Sequence, residues 1–214
     1  MNAALRVYAT AGTRGATTRR IAREAGVNEV TLFRQFGSKE ALIRAAVGST
    51  SAGVAVARLP AHPVDPVREL TAWGELHYRF LFGIRSFIRR GMAEFAERPE
   101  VVVPTLQLPV KIANELRAYL VRLRVEGLVA DGGWDARAAT SMFMGVLFAD
   151  AMQRDVMPSR YPYSQRDAVR HYVDLFARAI GWQGSPARTV VTTSVRAPRA
   201  RLAKTRESRH ARQA

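Results

Sequence analysis

Residues 17–42 read TTRRIAREAGVNEVTLFRQFGSKEAL, and this stretch decides the fold. Two short apolar patterns flank a single glycine. The first sets Ile21, Ala22 and Ala25 on one helical face across residues 19–25. Thr17 or Thr18 supplies its N-cap, because a hydroxyl there satisfies an orphan backbone N–H. Gly26 follows where the chain must reverse and a positive φ is needed, and Val27 is expected to plug the core behind the turn. Asn28 caps a second helix over residues 29–36, which buries Leu32 and Phe36. Gly37 ends it, and Ser38 caps a further helix that begins at Lys39. Two helices joined by so short a turn make a helix-turn-helix, and the small Ala22 suits their crossing. The outward positions of the second helix are Asn28, Glu29, Val30, Thr31, Arg34 and Gln35. Asn and Gln match adenine, Arg matches guanine, Glu matches cytosine, and Val or a Thr methyl meets the thymine methyl. The spacing therefore predicts a recognition helix for the major groove of double-stranded DNA.

Working outward, residues 2–11 form a helix with Leu5 and Tyr8 or Ala9 inward, broken by Gly12 and Gly15. Downstream, Pro60, Pro63 and Pro66 interrupt the chain. Apolar residues at helical spacing then predict helices over residues 67–90, 110–126, 135–155 and 165–180, with a shorter one over 91–97. Alternating strand patterns are scarce. The fold class expected is all-α: an N-terminal three-helix head with the helix-turn-helix, then an antiparallel helical bundle. The domains expected are residues 1–47, residues 48–182, and a basic tail over 183–214 with no apolar periodicity.

Composition narrows the function. The 214 residues are 48% hydrophobic and carry a net charge of +15. Residues 1–50 hold 8 basic and 3 acidic side chains, residues 51–182 hold 17 and 14, and residues 183–214 hold 8 and 1. The excess sits at the two ends, as expected of contacts with a polyanion. Cysteine is absent, which excludes a disulfide scaffold, a thiolate metal site and a cysteine nucleophile. No apolar run reaches the ~18 residues that span a bilayer, so no membrane partner is expected. His62, His77, His171 and His210 lack metal-ligand spacing. No phosphate-binding loop or nucleophile elbow is present. Neither enzyme activity nor a cofactor is expected, and the location expected is cytoplasmic and nucleoid-associated.

The run from Thr17 to Leu42 resembles the N-terminal domain of the tetracycline-repressor (TetR) family of bacterial regulators. Ile21-Ala22-x-x-Ala25-Gly26-Val27, Thr31-Leu32-Phe33-x-x-Phe36 and Ser38-Lys39-Glu40-x-Leu42 carry the likeness. Ala3-Ala4-Leu5, Tyr8-Ala9 and Gly12 resemble the family's first helix, so the match covers about residues 1–47. The resemblance implies a homodimeric DNA-binding regulator, by default a repressor released by a small ligand. It places Thr17 and Thr18 on the DNA backbone, and Asn28, Glu29, Val30, Thr31 and Arg34 on bases or phosphate. Phe33 stands where the family has a phosphate-bonding Tyr, and Lys39 is placed on phosphate at a helix N-terminus. Glu29 departs from the family's basic or small residue. The chain starts one turn into the family's first helix, which suggests a true start upstream of Met1 or a compensating basic tail.

For the body, Trp73, His77, Phe80, Ile84, Leu116, Tyr119, Leu120 and Phe143 are candidate linings of an effector pocket, apolar and aromatic in character. The resemblance makes the last two long helices the dimer interface, with Gly145, Ala149, Val169, Val173 and Phe176 as candidates. Asp150 is expected to pair with Arg178. The alternative is a structural DNA-binding protein that senses nothing and whose bundle only oligomerises.

Overall fold

The computed structural model describes residues 2–56, 58–96, 107–182 and 184. Nearly all of the expected tail, 183–214, lies outside the described residues, as does the end of the short helix expected over 91–97. Every regular element among the described residues is helical. No described helix is long and apolar enough to cross a membrane.

Local chemistry builds the head. α1 (Asn2–Gly15) does not stop at Gly12 but bends there, with Gly12 at φ 65 and ψ −173. The bend frees the Thr13 N–H, which finds a partner from a distant helix (below). α2 (Thr18–Ala25) is capped by Thr17, whose hydroxyl accepts from the Arg20 N–H at 3.2 Å. It ends on Gly26 in the left-handed region, φ 67, with the Val27 N–H closing on the Ala22 carbonyl at 3.0 Å. That is the two-bond glycine cap that stops a helix without orphan carbonyls. α3 (Glu29–Phe36) is capped by Asn28, whose Oδ1 accepts from the Val30 N–H at 2.8 Å. α4 (Lys39–Val56) starts behind Ser38, which accepts from the Ala41 N–H at 3.1 Å. Leu5, Tyr8, Ile21, Leu32, Leu42 and Ile43 form the head core. Ala25 and Val27 do not join it. Both are exposed, because α2 buries only a narrow stripe and its cap lifts the chain outward.

The body departs from the expected pattern at one place. The helix predicted over 67–90 is two helices, α5 (Pro66–Gly83) and α6 (Arg85–Glu94), separated at Ile84 with φ −111 and ψ 13. Gly83 is a poor helix former, and the break has a packing reason. Trp73 and Tyr78 stay in the body core, while Ile84 and Phe87 turn into the head core. α7 (Gln107–Val125), α8 (Ala136–Gln153) and α9 (Gln165–Ala179) complete the bundle. Asp135 and Ser164 cap α8 and α9. Leu70, Leu116, Leu120, Phe143, Leu147 and Val173 are among the residues that fill its centre.

Asp150 is fully buried and does not meet Arg178. It accepts from Tyr78 Oη at 3.0 Å, Tyr172 Oη at 2.6 Å and Arg154 at 2.7 and 2.8 Å. Arg178 instead donates to the Asp174 carbonyl at 3.1 Å. A buried carboxylate needs a charge partner and full hydrogen bonding. A cation one turn away on its own helix, aided by two phenols, supplies both.

Candidate nucleic-acid interface and effector cavity

The exposed side of α3 is mixed in character. Val30 is 71% exposed and Phe33 61% exposed, with Thr31, Arg34 and Gln35 open beside them. Large apolar groups left this open are unusual for a helix that contributes only Leu32 fully to its core. Thr17, Arg19 and Arg20 are exposed at the start of α2, and Arg19 and Arg20 are phosphate candidates that motif reading did not single out. Thr17 uses its oxygen as the cap acceptor and keeps its hydroxyl proton for an outside partner.

Four expected DNA contacts, Thr18, Asn28, Glu29 and Lys39, are engaged within the protein. Thr18 Oγ1 donates to Glu29 Oε1 at 2.7 Å, pinning the first turn of α2 to that of α3. This gives the acidic Glu29 a local role. Asn28 spends its carbonyl oxygen on the cap. Lys39 Nζ is half-buried and donates to the Thr13 carbonyl at 2.8 Å, with Glu40 at 3.7 Å. An ammonium has three donors, so this contact ties α4 to α1 and still leaves donors for an anion.

Below the head lies an apolar cavity of about 480 Å³. The head contributes Tyr8, Ile43 and Val47 to its wall, and the body contributes residues of α5, α6, α7 and α8. Of the expected linings, Trp73, His77, Phe80 and Ile84 border it. Leu116, Tyr119, Leu120 and Phe143 do not. They are 0–1% exposed and fill the bundle centre. The sequence did not reveal Tyr8, Ile43 or Val47 as linings, because nothing local says that the head closes the cavity. His77 is buried, and burial lowers its pKa to about 4 against the smaller upward effect of a hydrogen bond with the Trp73 carbonyl. Trp73 Nε1 and His77 Nε2 are buried without a partner, each at a cost of about 1–3 kcal/mol.

A carboxylate of the body is hydrogen-bonded to the head. Glu94, at the end of α6, accepts from the Thr13 N–H at 3.1 Å, from the Thr13 hydroxyl, from Tyr8 Oη at 3.2 Å and from Arg90 Nε at 2.9 Å. Burial pushes its pKa upward, but the hydrogen bonds from Thr13, Tyr8 and Arg90 outweigh it and hold the carboxyl below its ordinary value. Gly12 makes room, since a Cβ there would fall on the Glu94 carboxylate and the Arg90 guanidinium. The ring of Tyr8 also packs on Phe87 of α6, with centroids 4.8 Å apart.

The proposed dimer residues divide into two sets. Val169, Val173 and Phe176 are 0–2% exposed within their own chain's core and offer nothing to a second copy. They lie on the wrong face of α9, because the apolar stripe of an amphipathic helix is taken first by its own core. Gly145 is exposed and Ala149 half-buried, and Gly145 also borders the cavity. The large apolar residues open on these helices are Met142 on α8, 53% exposed, and Leu175 on α9, 64% exposed.

Residues 1–46 match the family model described as bacterial regulatory proteins, tetR family. The chain is 25% identical over 181 residues to YvkB of Bacillus subtilis strain 168, named as an uncharacterised HTH-type transcriptional regulator; 84% of this chain and 94% of that protein are covered. PfmR from Thermus thermophilus, a TetR family transcriptional regulator, shares the fold with TM-score 0.60 at 23% identity, over 83% of this chain and 96% of that one. The regulator FadR from Bacillus subtilis, solved in complex with stearoyl-CoA, shares it with TM-score 0.55 at 18% identity, over 84% and 96%.

Proposed function

We propose, from the match of residues 1–46 to the tetR family model, that the chain is a homodimeric transcriptional regulator released from a palindromic operator by a small apolar effector. The observation that carries the reading is the cavity: its wall takes residues from the DNA-binding head and from four body helices together. A ligand seated there touches both, so it has the means to bind two head positions unequally, which is what shifting an equilibrium requires. Repression is the default sign. An apolar effector suits the lining, and the stearoyl-CoA held by the Bacillus subtilis relative indicates that lipid-like molecules are worth placing first in a screen. A structural protein that senses nothing would have no use for such a cavity.

In the proposed complex α3 enters the major groove, with Val30 and Thr31 on thymine methyls and Arg34 on guanine. Thr17, Arg19, Arg20 and Lys39 hold phosphates, which set register rather than sequence. Footprinting of genomic DNA with the purified protein is expected to reveal one or a few palindromic sites with half-sites roughly 34–36 Å apart. Arg34→Ala should cost ~1–3 kcal/mol at one or two base pairs of that site, whereas Lys39→Ala should weaken all sequences alike. Uniform protection without sequence preference would replace this reading with that of a structural DNA-binding protein.

A further inference from the structure

Two residues of the cavity wall, Trp73 and His77, each keep one buried polar atom that the fold leaves unsatisfied. Trp73 and His77 stand four residues apart on α5, with ring centroids 3.7 Å apart and planes inclined by 28°. They are 3% and 4% exposed, and both border the cavity. His77 Nδ1 lies 2.7 Å from the Trp73 carbonyl. A carbonyl only accepts, so Nδ1 carries the proton and Nε2 is a bare acceptor. Burial keeps the imidazole neutral. The indole Nε1–H is a donor with no acceptor, and His77 Nε2 is an acceptor with no donor. Buried polar groups are almost always partnered, and an adjoining donor and acceptor inside an otherwise apolar wall call for one group that does both. Among the described residues, none that lines the cavity is an acid, a lysine or an arginine, and its one histidine, His77, is neutral. An anionic or cationic ligand group would sit there without a counter-charge, which a low-dielectric site penalises heavily.

Building on the effector reading above, we propose that Trp73 and His77 are the specificity-determining pair of this cavity, and that they select an uncharged molecule with an apolar body and one hydroxyl group. The hydroxyl oxygen accepts from Trp73 Nε1–H, and the hydroxyl proton is donated to His77 Nε2. Both nitrogens are closed off in the wall, so the proposed contact requires the two rings to turn toward the cavity on binding. A ketone can satisfy only the indole, and a carboxylate can do no more while bringing an unpaired charge.

The test uses the full chain with Trp134→Phe and Trp182→Phe, which leaves Trp73 as the single tryptophan of the three. 1-Octanol, 2-octanone and octanoate are titrated at pH 7.5, followed by Trp73 fluorescence and by calorimetry. 1-Octanol should bind about tenfold tighter than 2-octanone, the value of roughly one hydrogen bond, and octanoate weakest. His77→Phe should bring the alcohol down to the ketone. His77→Gln, which restores an acceptor, should recover most of the preference, with circular dichroism showing that both variants fold. Equal affinity for alcohol and ketone, or a preference that survives His77→Phe, would overturn the assignment of this pair while leaving an effector cavity in place. Absence of binding by all three probes would overturn the effector reading along with it.

Discussion

His77 links burial to a measurable pH response. Its pKa is lowered to about 4 in the folded chain by burial, against an ordinary value near 6.5. The unfolded chain therefore takes up a proton that the folded chain refuses. The stability that depends on neutral His77 is fully present above pH ~6.5 and is lost as the pH falls toward ~4, by about 3 kcal/mol in total. Chemical denaturation of the parent and of His77→Phe between pH 7 and pH 4 isolates this contribution. The parent should lose stability relative to His77→Phe as the pH drops, and parallel curves would show that His77 is solvated. At this scale the sequence was legible wherever chemistry is local. Thr17, Gly26, Asn28 and Ser38 cap or turn as their types dictate. It was not legible where a partner comes from far along the chain, as with Thr18 and Glu29 or Asp150 and Tyr78. Those pairs share no spacing that a periodicity could show.

Among the elements, α6 is the one that the sequence pattern hid and that the proposed function needs. Its apolar residues continue the stripe of α5, so periodicity alone reads one long helix. Only the separate cores distinguish them, with Leu70 and Trp73 in the body and Ile84 and Phe87 against the head. Glu94 then closes α6 onto the bend of α1. A hydrogen bond to a charged group is worth about 1.5–3 kcal/mol, and losing this acceptor leaves the Thr13 N–H without a replacement. Glu94→Ala should therefore open the last turn of α1 without disturbing α7, α8 or α9. Amide hydrogen exchange reads this directly: protection at Thr13 should drop by tenfold or more, while that of Leu120 and Val173 stays unchanged. An even loss across head and body would mean that Glu94 stabilises the fold generally and is no specific clamp. The coupling expected of a regulator follows from the same geometry. α6 touches the cavity through Phe87, Ile88 and Gly91 and touches α1 through Glu94, so the proposed effector would have a direct route from the cavity to the head.

For the whole molecule, the question is how two heads are spaced. Operator reading by paired half-sites needs a partner copy, yet the apolar residues that sequence reading offered to that copy are spent inside one chain. Val169, Val173 and Phe176 close the core of their own bundle, which leaves the opposite side of α9 and the open side of α8. Leu175 is exposed on the first, and Met142 is exposed on the second beside the small residues Ala138, Ser141 and Gly145 of its own helix. An apolar anchor among small residues lets helices approach closely, as the proposed homodimer requires. Leu175→Glu places a charge in that contact and leaves the core side of α9 untouched. The variant should keep its helical content and melting temperature, yet sediment as a monomer where the parent is a dimer. Its operator affinity should then fall toward that of a single head on a half-site, since the second head no longer binds at high effective concentration, and the loss should depend on protein concentration. A Leu175→Glu protein that remains dimeric with an undiminished footprint would move the interface off α9, and the two heads would have to be spaced by another face of the body.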